Sequence, residues 1–209
     1  SSPAMSGPLL FTDALRAIEH RALVALPPGT LMARAGAALA RHVALLARSQ
    51  PRAQPIEVLV GTGNNGGDAL TAAMRLRELG FAVTCRMLSA DAPTPADALQ
   101  VHQRWLAQGG CLDTFASLPS ALAGGSPDGP LVIDGLFGIG LTRALSGALA
   151  DLVDTLNHSK ATVVAVDVPS GLDADRGVAA GDPPGPAIRA HSTVTFIADK
   201  PGLHTGLGP

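Results

Sequence analysis

Two aspartates stand directly behind apolar runs. Asp134 follows Leu131-Val132-Ile133, and Asp167 follows Val163-Val164-Ala165-Val166 and precedes Val168-Pro169-Ser170-Gly171. They lie 33 residues apart, about the length of one strand–helix–strand unit, so adjacent parallel strands would deliver both carboxylates to one sheet edge. A third polar group belongs at the same edge: the loop Gly61-Thr62-Gly63-Asn64-Asn65-Gly66-Gly67-Asp68, behind the short β-like run Ile56–Val60. Any one of these aspartates alone could be an ordinary helix cap or turn residue. Two of them facing a polar, glycine-rich loop point to chemistry. Carboxylates drawn together partly out of water repel, so one holds a proton, or donors or a cation compensate. A monovalent or divalent ion held by carbonyl, hydroxyl and carboxylate oxygens meets that need.

The loop satisfies G-x-G-x-x-G through Gly61, Gly63 and Gly66. A dinucleotide fingerprint also requires an acidic residue near the end of the second strand to bind ribose. That position carries Cys85-Arg86-Met87-Leu88, with Asp91 only afterwards. No Gly-Lys-Ser/Thr follows, which excludes a Walker A loop. Asn64, Asn65 and Asp68 add polar side chains to bare backbone donors. Such a loop can hold phosphate at a helix N-terminus and still offer carbonyl oxygens to an ion. The expected ligand is nucleotide-like, bound in a way that differs from hydride-transfer sites.

The elements that must position these groups follow from periodicity. Leu15, Ile18, Leu23 and Leu26 predict a helix over 12–26, ended by Pro27-Pro28-Gly29, and Thr30 is the expected N-cap of a second helix to about Arg48. The small residues Ala35, Gly36 and Ala37 would let that helix lie close to a neighbour. After the linker 51–55, strands are predicted at 56–60, 82–88, 131–133, 162–166 and 193–197. Helices are predicted at 68–79, 94–108 and about 146–157. The alternation predicts an α/β fold: a three-layer α/β/α sandwich with a mostly parallel, Rossmann-like central sheet. The expected organisation is a flexible leader over 1–10 and one domain over 11–209, with the Pro/Gly cluster 181–186 a surface loop.

Composition narrows the function classes. Fifteen Lys+Arg against 17 Asp+Glu leave no field to draw nucleic acid or an acidic membrane. Aromatics are 3% with no Tyr, which removes most stacking platforms for bases. The 24 glycines and 17 prolines are too many for a helical bundle, and a mean hydropathy of +0.28 excludes wholesale disorder. Cys85 and Cys111 stand 26 positions apart and the six histidines are scattered, so two free thiols are expected rather than zinc. No apolar run reaches transmembrane length, and the first residues lack the layout of a signal peptide. A cytoplasmic protein with neither nucleic-acid nor membrane partner is the expectation.

Four ordered motifs, GTGNNGGDA, VIDGLFGIGLTR, VVAVDVPSGLDADRG and STVTFIADKPGLHTG, together resemble the YjeF N-terminal domain family, the NAD(P)H-hydrate epimerases. The opening LRAIEHRALVALPPGTLMARAGAALA is similar to that family's first helices, so the resemblance covers roughly Ala14 to Gly206. It implies an isomerase of metabolite repair, which racemises C6 of hydrated NADH or NADPH. It implies dinucleotide contacts at Asn64, Asn65, Gly66, Gly67, Asp68 and Asp167, and along Gly138, Ile139, Gly140, Leu141, Thr142, Arg143 and Ala144. A potassium ion would be held by Asn65, Asp134 and Ser170. The implied partners are NAD(P)H-hydrate as substrate, an ADP/ATP-dependent dehydratase that in many bacterial members follows on the same chain, and a second copy in a homodimer. Ending just after Lys200-Pro201-Gly202, the sequence resembles the epimerase half of a longer protein.

The chemistry also stands without the resemblance. C6 of such a hydrate is a carbinolamine carbon, so loss of hydroxyl with help from nitrogen gives a planar iminium-like centre to which water adds from either face. One group must protonate the leaving hydroxyl and deprotonate the returning water. Asp167, ending an apolar strand beside Pro169-Ser170-Gly171, is the expected acid/base. Asp68 ranks behind it, as a residue that equally caps the helix it opens, and so does Lys200, which equally reads as a solvated loop residue. A ring-opened aldehyde route would use the same residues. Two departures from the family pattern stand out: Ala69 where glycine is usual, which would crowd a closely approaching ligand, and Ala144 near a usual proline.

Other readings of the same residues exist. The family's fold also serves as a non-catalytic binding or dimerisation scaffold, in RNA-decapping factors and in an apolipoprotein-binding protein. A nicotinamide dehydrogenase lacks its ribose acid here and a domain for a second substrate. The strand-end aspartates and the Asn-Asn-Gly-Gly-Asp loop favour the enzyme.

Overall fold

A computed structural model describes residues 10–89, 91–123 and 129–196. The leader expected over 1–10 falls almost wholly outside the described residues, as do Lys200 and the end of the last motif. Helices α1 (Thr12–Ala25) and α2 (Thr30–Ser49) precede β1 (Ile56–Val60), α3 (Asn64–Glu78), β2 (Val83–Met87) and α4 (Ala96–Ala107). There follow β3 (Leu112–Thr114), a 3-10 turn, α5 (Leu118–Ala123), β4 (Leu131–Gly135), α6 (Ala148–His158), β5 (Thr162–Val166) and β6 (Ser192–Val194).

All six strands are parallel, in the order β3-β2-β1-β4-β5-β6. Every residue of β1 and β4 is buried, as a sheet covered on both faces demands. The strand period of two splits their side chains between two cores. Val58, Val60, Leu131 and Ile133 pack against Leu39 and Val43 of α2, Leu70 and Leu76 of α3 and Trp105 of α4. Leu59, Val132 and Val163 pack against Leu118 of α5 and Leu152, Val153 and Leu156 of α6. The three-layer α/β/α architecture follows directly.

The close approach of α2 is realised at Gly36, where a Cβ would stand 2.4 Å from the Cβ of Thr71 in α3. Among the described residues, no single helix is long and apolar enough to cross a membrane, and α1 and α2 are bent by 115° at their junction. α2 turns its apolar face, including Leu39 and Val43, into the core.

Two expectations are corrected, and two elements are added. α3 begins at Asn64, not Asp68, with Gly63 as its N-cap, so Asn65, Gly66, Gly67 and Asp68 are helical and Asp68 caps nothing. Glycine's poor helix propensity makes the segment read as a loop. Packing overrides it: a Cβ at Gly66 would stand 1.9 Å from the carbonyl oxygen of Gly61, and one at Gly67 2.5 Å from Met32 Cε. The cap of α2 is Gly29, in the left-handed region at φ 77°, while Thr30 is the first helical residue and its hydroxyl donates to the Pro27 carbonyl at 2.7 Å. Finally, β3 and α5 carry no periodicity long enough to be read. β3 is three residues whose pairing partner, β2, supplies the order.

Candidate active site

The strand order reverses between β1 and β4, the position at which open parallel sheets leave a crevice at their carboxyl ends. A cleft of about 920 Å³ lies there, at the upper end of the roughly 300–1,000 Å³ usual for small-molecule sites. Its floor comes from the start of α3 (Asn64, Asn65, Asp68) and from Asp167 behind β5. One wall is the loop after β4, Leu136 to Arg143, and the other is α1 and α2, through Arg16, Glu19, Leu31 and Arg34. Thr195 and Phe196, behind β6, complete the rim.

Asp167 is 8% exposed and is the one non-glycine residue among those described with positive φ, at 66°. A left-handed backbone at such a residue is strained and has to be held by its surroundings. Its N–H donates to the Val194 carbonyl at 2.9 Å, and its Oδ1 accepts from Thr195 Oγ1 at 3.3 Å and from the Phe196 N–H at 3.4 Å. The strand end thus turns the carboxylate toward the cleft that it lines. Asp68 reaches the same cleft from α3. Burial, then the charge of Asp167, then that of Glu19 push its carboxyl well above the ordinary range.

Beneath the cleft, Asp134 is fully buried. Its Oδ1 accepts from Ser170 Oγ at 2.6 Å and from the Leu136 N–H at 3.3 Å, and its Oδ2 from the Ser170 N–H at 2.8 Å. Burial pushes it up to about 6, against the pull of these donors. Ser170 Oγ in turn accepts from the Phe137 N–H at 3.0 Å. The amide nitrogen of Asn65 donates to the carbonyls of Phe137 at 3.0 Å and Val166 at 2.8 Å. Asn65 and Ser170 therefore meet at Phe137, and Ser170 joins Asp134, so the three residues come together from three separate segments.

The expected contacts divide. Asn64, Asn65, Asp68, Gly138, Ile139, Gly140, Leu141, Thr142, Arg143 and Asp167 line the cleft. Gly66, Gly67 and Ala144 do not: Gly66 packs on Gly61, Gly67 on Met32 and Ala98, and Ala144 on Gly181. Ala69 is fully buried and points at β4, where a Cβ on Gly135 would stand 2.5 Å from its own. Its methyl therefore does not crowd the cleft. Arg86, at the ribose-acid position, is buried in an ion pair with Glu57 at 2.7 Å and also meets Ser117. It is spent inside the fold. Sequence reasoning missed the wall formed by α1 and α2. The only signal was three residues of α1 at helical spacing, Arg16, Glu19 and Leu23, two of them charged.

The reversal of strand order, the cleft above it and carboxylates at the strand ends define a Rossmann-like α/β domain built to hold a small molecule across its sheet edge. A family model described as YjeF-related protein N-terminus matches residues 28–202, and the chain belongs to that family. It is 47% identical over 173 residues to the NAD(P)H-hydrate epimerase of Achromobacter xylosoxidans (strain A8), covering 83% of this chain and 76% of that one. It is 37% identical over 199 residues to the bifunctional NAD(P)H-hydrate repair enzyme Nnr of Escherichia coli (strain K12), covering 94% of this chain and 36% of that one. The solved yeast protein ynu0 superposes with a TM-score of 0.79 at 19% identity, over 94% of this chain and 83% of the yeast chain, which supports the fold.

Proposed function

We propose that this chain epimerises the R and S forms of hydrated NADH and NADPH at C6 of the nicotinamide ring, an isomerase of metabolite repair. The observation that carries the proposal is the pair Asp68 and Asp167, a carboxyl whose hold on its proton is raised by burial and a strained strand-end aspartate, lining one cleft of about 920 Å³. The names of relatives at 37–47% identity supply the substrate.

Asp167 is the acid/base. A proton from Asp68 passes through Asp167 to the departing hydroxyl of C6 so that water leaves. The ring nitrogen's electron pair closes a C=N bond, and C6 becomes planar. Water then adds from the opposite face and returns a proton to the Asp167 carboxylate, restoring the pair. Ring opening to an aldehyde and reclosure would use the same residues. Asn64, Asn65 and the loop Gly138–Arg143 orient the ligand, with the N-terminus of α3 available to its phosphates.

The oxygen set beneath the cleft suits a potassium ion in chemistry: one carboxylate, one hydroxyl and the Phe137 and Val166 carbonyls, with no sulfur or imidazole. Asn65, Asp134 and Ser170 would hold it, with a turn of the Asn65 amide presenting its oxygen. Bound there, such an ion would offset the Asp134 charge and pin the loop after β4. The proposed functional partner is an ATP- or ADP-dependent dehydratase, in keeping with the bifunctional relative, and the proposed setting is a cytoplasmic homodimer.

The test is a coupled assay. A separate dehydratase alone stalls on one hydrate epimer; adding this chain makes both disappear at comparable rates. Unchanged stalling would overturn the proposal.

A further inference from the structure

We infer that α1 is a ligand-contacting wall of the cleft and that Arg16 on it binds the ligand's diphosphate. This rests on the dinucleotide reading of the cleft. Arg16, Glu19 and Leu23 fall at i, i+3 and i+7 of α1, one face of a helix, and all three line the cavity. Packing does not account for that face. Leu15 is the only buried residue of α1, Val24 on it is 77% exposed, and the helix is tied at its first residue by the Thr12 N–H and Oγ1, which donate to Asp175 Oδ1 at 2.7 and 2.9 Å.

Charge gives the face its purpose. Glu19, Asp97 and Asp167 line the cleft, so an anionic ligand entering it needs cations at its own phosphates. The cavity offers three, Arg16, Arg34 and Arg143, and among the described residues none of them makes an ion pair. Arg16 is the best placed. Its Nη2 lies 3.2 Å from where a Cβ on Gly140 would stand, so the guanidinium reaches from α1 onto the loop that carries Arg143. A planar fork of N–H donors over a glycine suits a diphosphate approaching that backbone.

Calorimetric titration of the chain with ADP-ribose and with adenosine tests this. Arg16→Gln is expected to weaken ADP-ribose at least tenfold while changing adenosine less than twofold, and Arg16→Lys to recover part of the loss. Arg21→Gln removes the same charge from α1 outside the cleft and is expected to change neither by more than twofold. If Arg16→Gln weakens both probes equally, or if Arg21→Gln matches it, Arg16 acts through helix docking or long-range charge and the inference falls. If Arg16→Gln binds ADP-ribose like the wild type, which still passes the coupled assay, only Arg16 is misassigned. A wild-type chain that binds neither probe overturns both this inference and the dinucleotide reading.

Discussion

Asp68 and Asp167 line one cleft from different elements, α3 and the end of β5, and the charge of the second adds to burial in raising the carboxyl of the first. The left-handed backbone of Asp167 is part of the same arrangement. An extended residue there would continue β5, whereas φ 66° turns the chain out of the strand at the cleft floor.

Asp167→Asn should therefore abolish the acceleration of epimer exchange. A loss of roughly 10²–10⁴-fold is expected from removing one acid/base group. Ligand binding should stay within a few-fold of wild type, because the amide keeps the shape. Coupled kinetics and calorimetry measure the two separately, and a variant retaining full rate would refute the assignment.

The raised Asp68 carboxyl also makes stability depend on pH. The folded protein binds this proton more tightly than the unfolded chain, so between the ordinary carboxylate value and the raised folded value the native state carries the extra proton. Its contribution to stability is present at low pH and is lost as pH rises through the folded pKa. Asp68→Asn, which keeps a neutral side chain at every pH, should melt above the wild type at pH 8, with the gap closing toward pH 4. Melting curves across that range check it, and a gap that widens on acidification would contradict it.

Potassium should stabilise the fold if Asn65, Asp134 and Ser170 hold it. At a hundredfold excess over Kd the gain is about 2.7 kcal/mol, or roughly 5–10 °C for a domain of this size. Asp134→Asn should remove the response to potassium chloride relative to choline chloride. An identical response in wild type and variant would eliminate the ion site.

Gly66→Ala should destabilise the domain by about 2–3 kcal/mol, since its methyl would stand 1.9 Å from a backbone oxygen of Gly61 that cannot move aside cheaply. Gly63→Ala, with nothing within 4 Å of its Cβ, should cost far less. Denaturant unfolding of the pair compares them directly.

Much of this was legible in one dimension. Short, mostly apolar runs that end at Asp or Gly locate β1, β4 and β5, and strand–helix alternation implies a parallel sheet, because these patterns depend only on neighbours along the chain. The same locality explains why Asp134, Asp167 and the Asn64–Asp68 segment could be singled out together: each stands at or shortly beyond the end of an apolar strand run. The early start of α3 was hidden, since it depends on what Gly66 and Gly67 touch rather than on what they are. So was the three-residue β3, ordered by its neighbour.

Only tertiary structure decided how the polar groups are shared out. It committed Arg86 to Glu57 inside the fold, joined Asp134 to Ser170 below the cleft, and left Asp68 and Asp167 facing the cavity. It also carried α1 over that cavity with Arg16 and Glu19 inward. The reason is physical. Burial, charge repulsion and hydrogen-bond partnership are set by residues dozens of positions away, and no periodicity in the chain encodes which of them will meet.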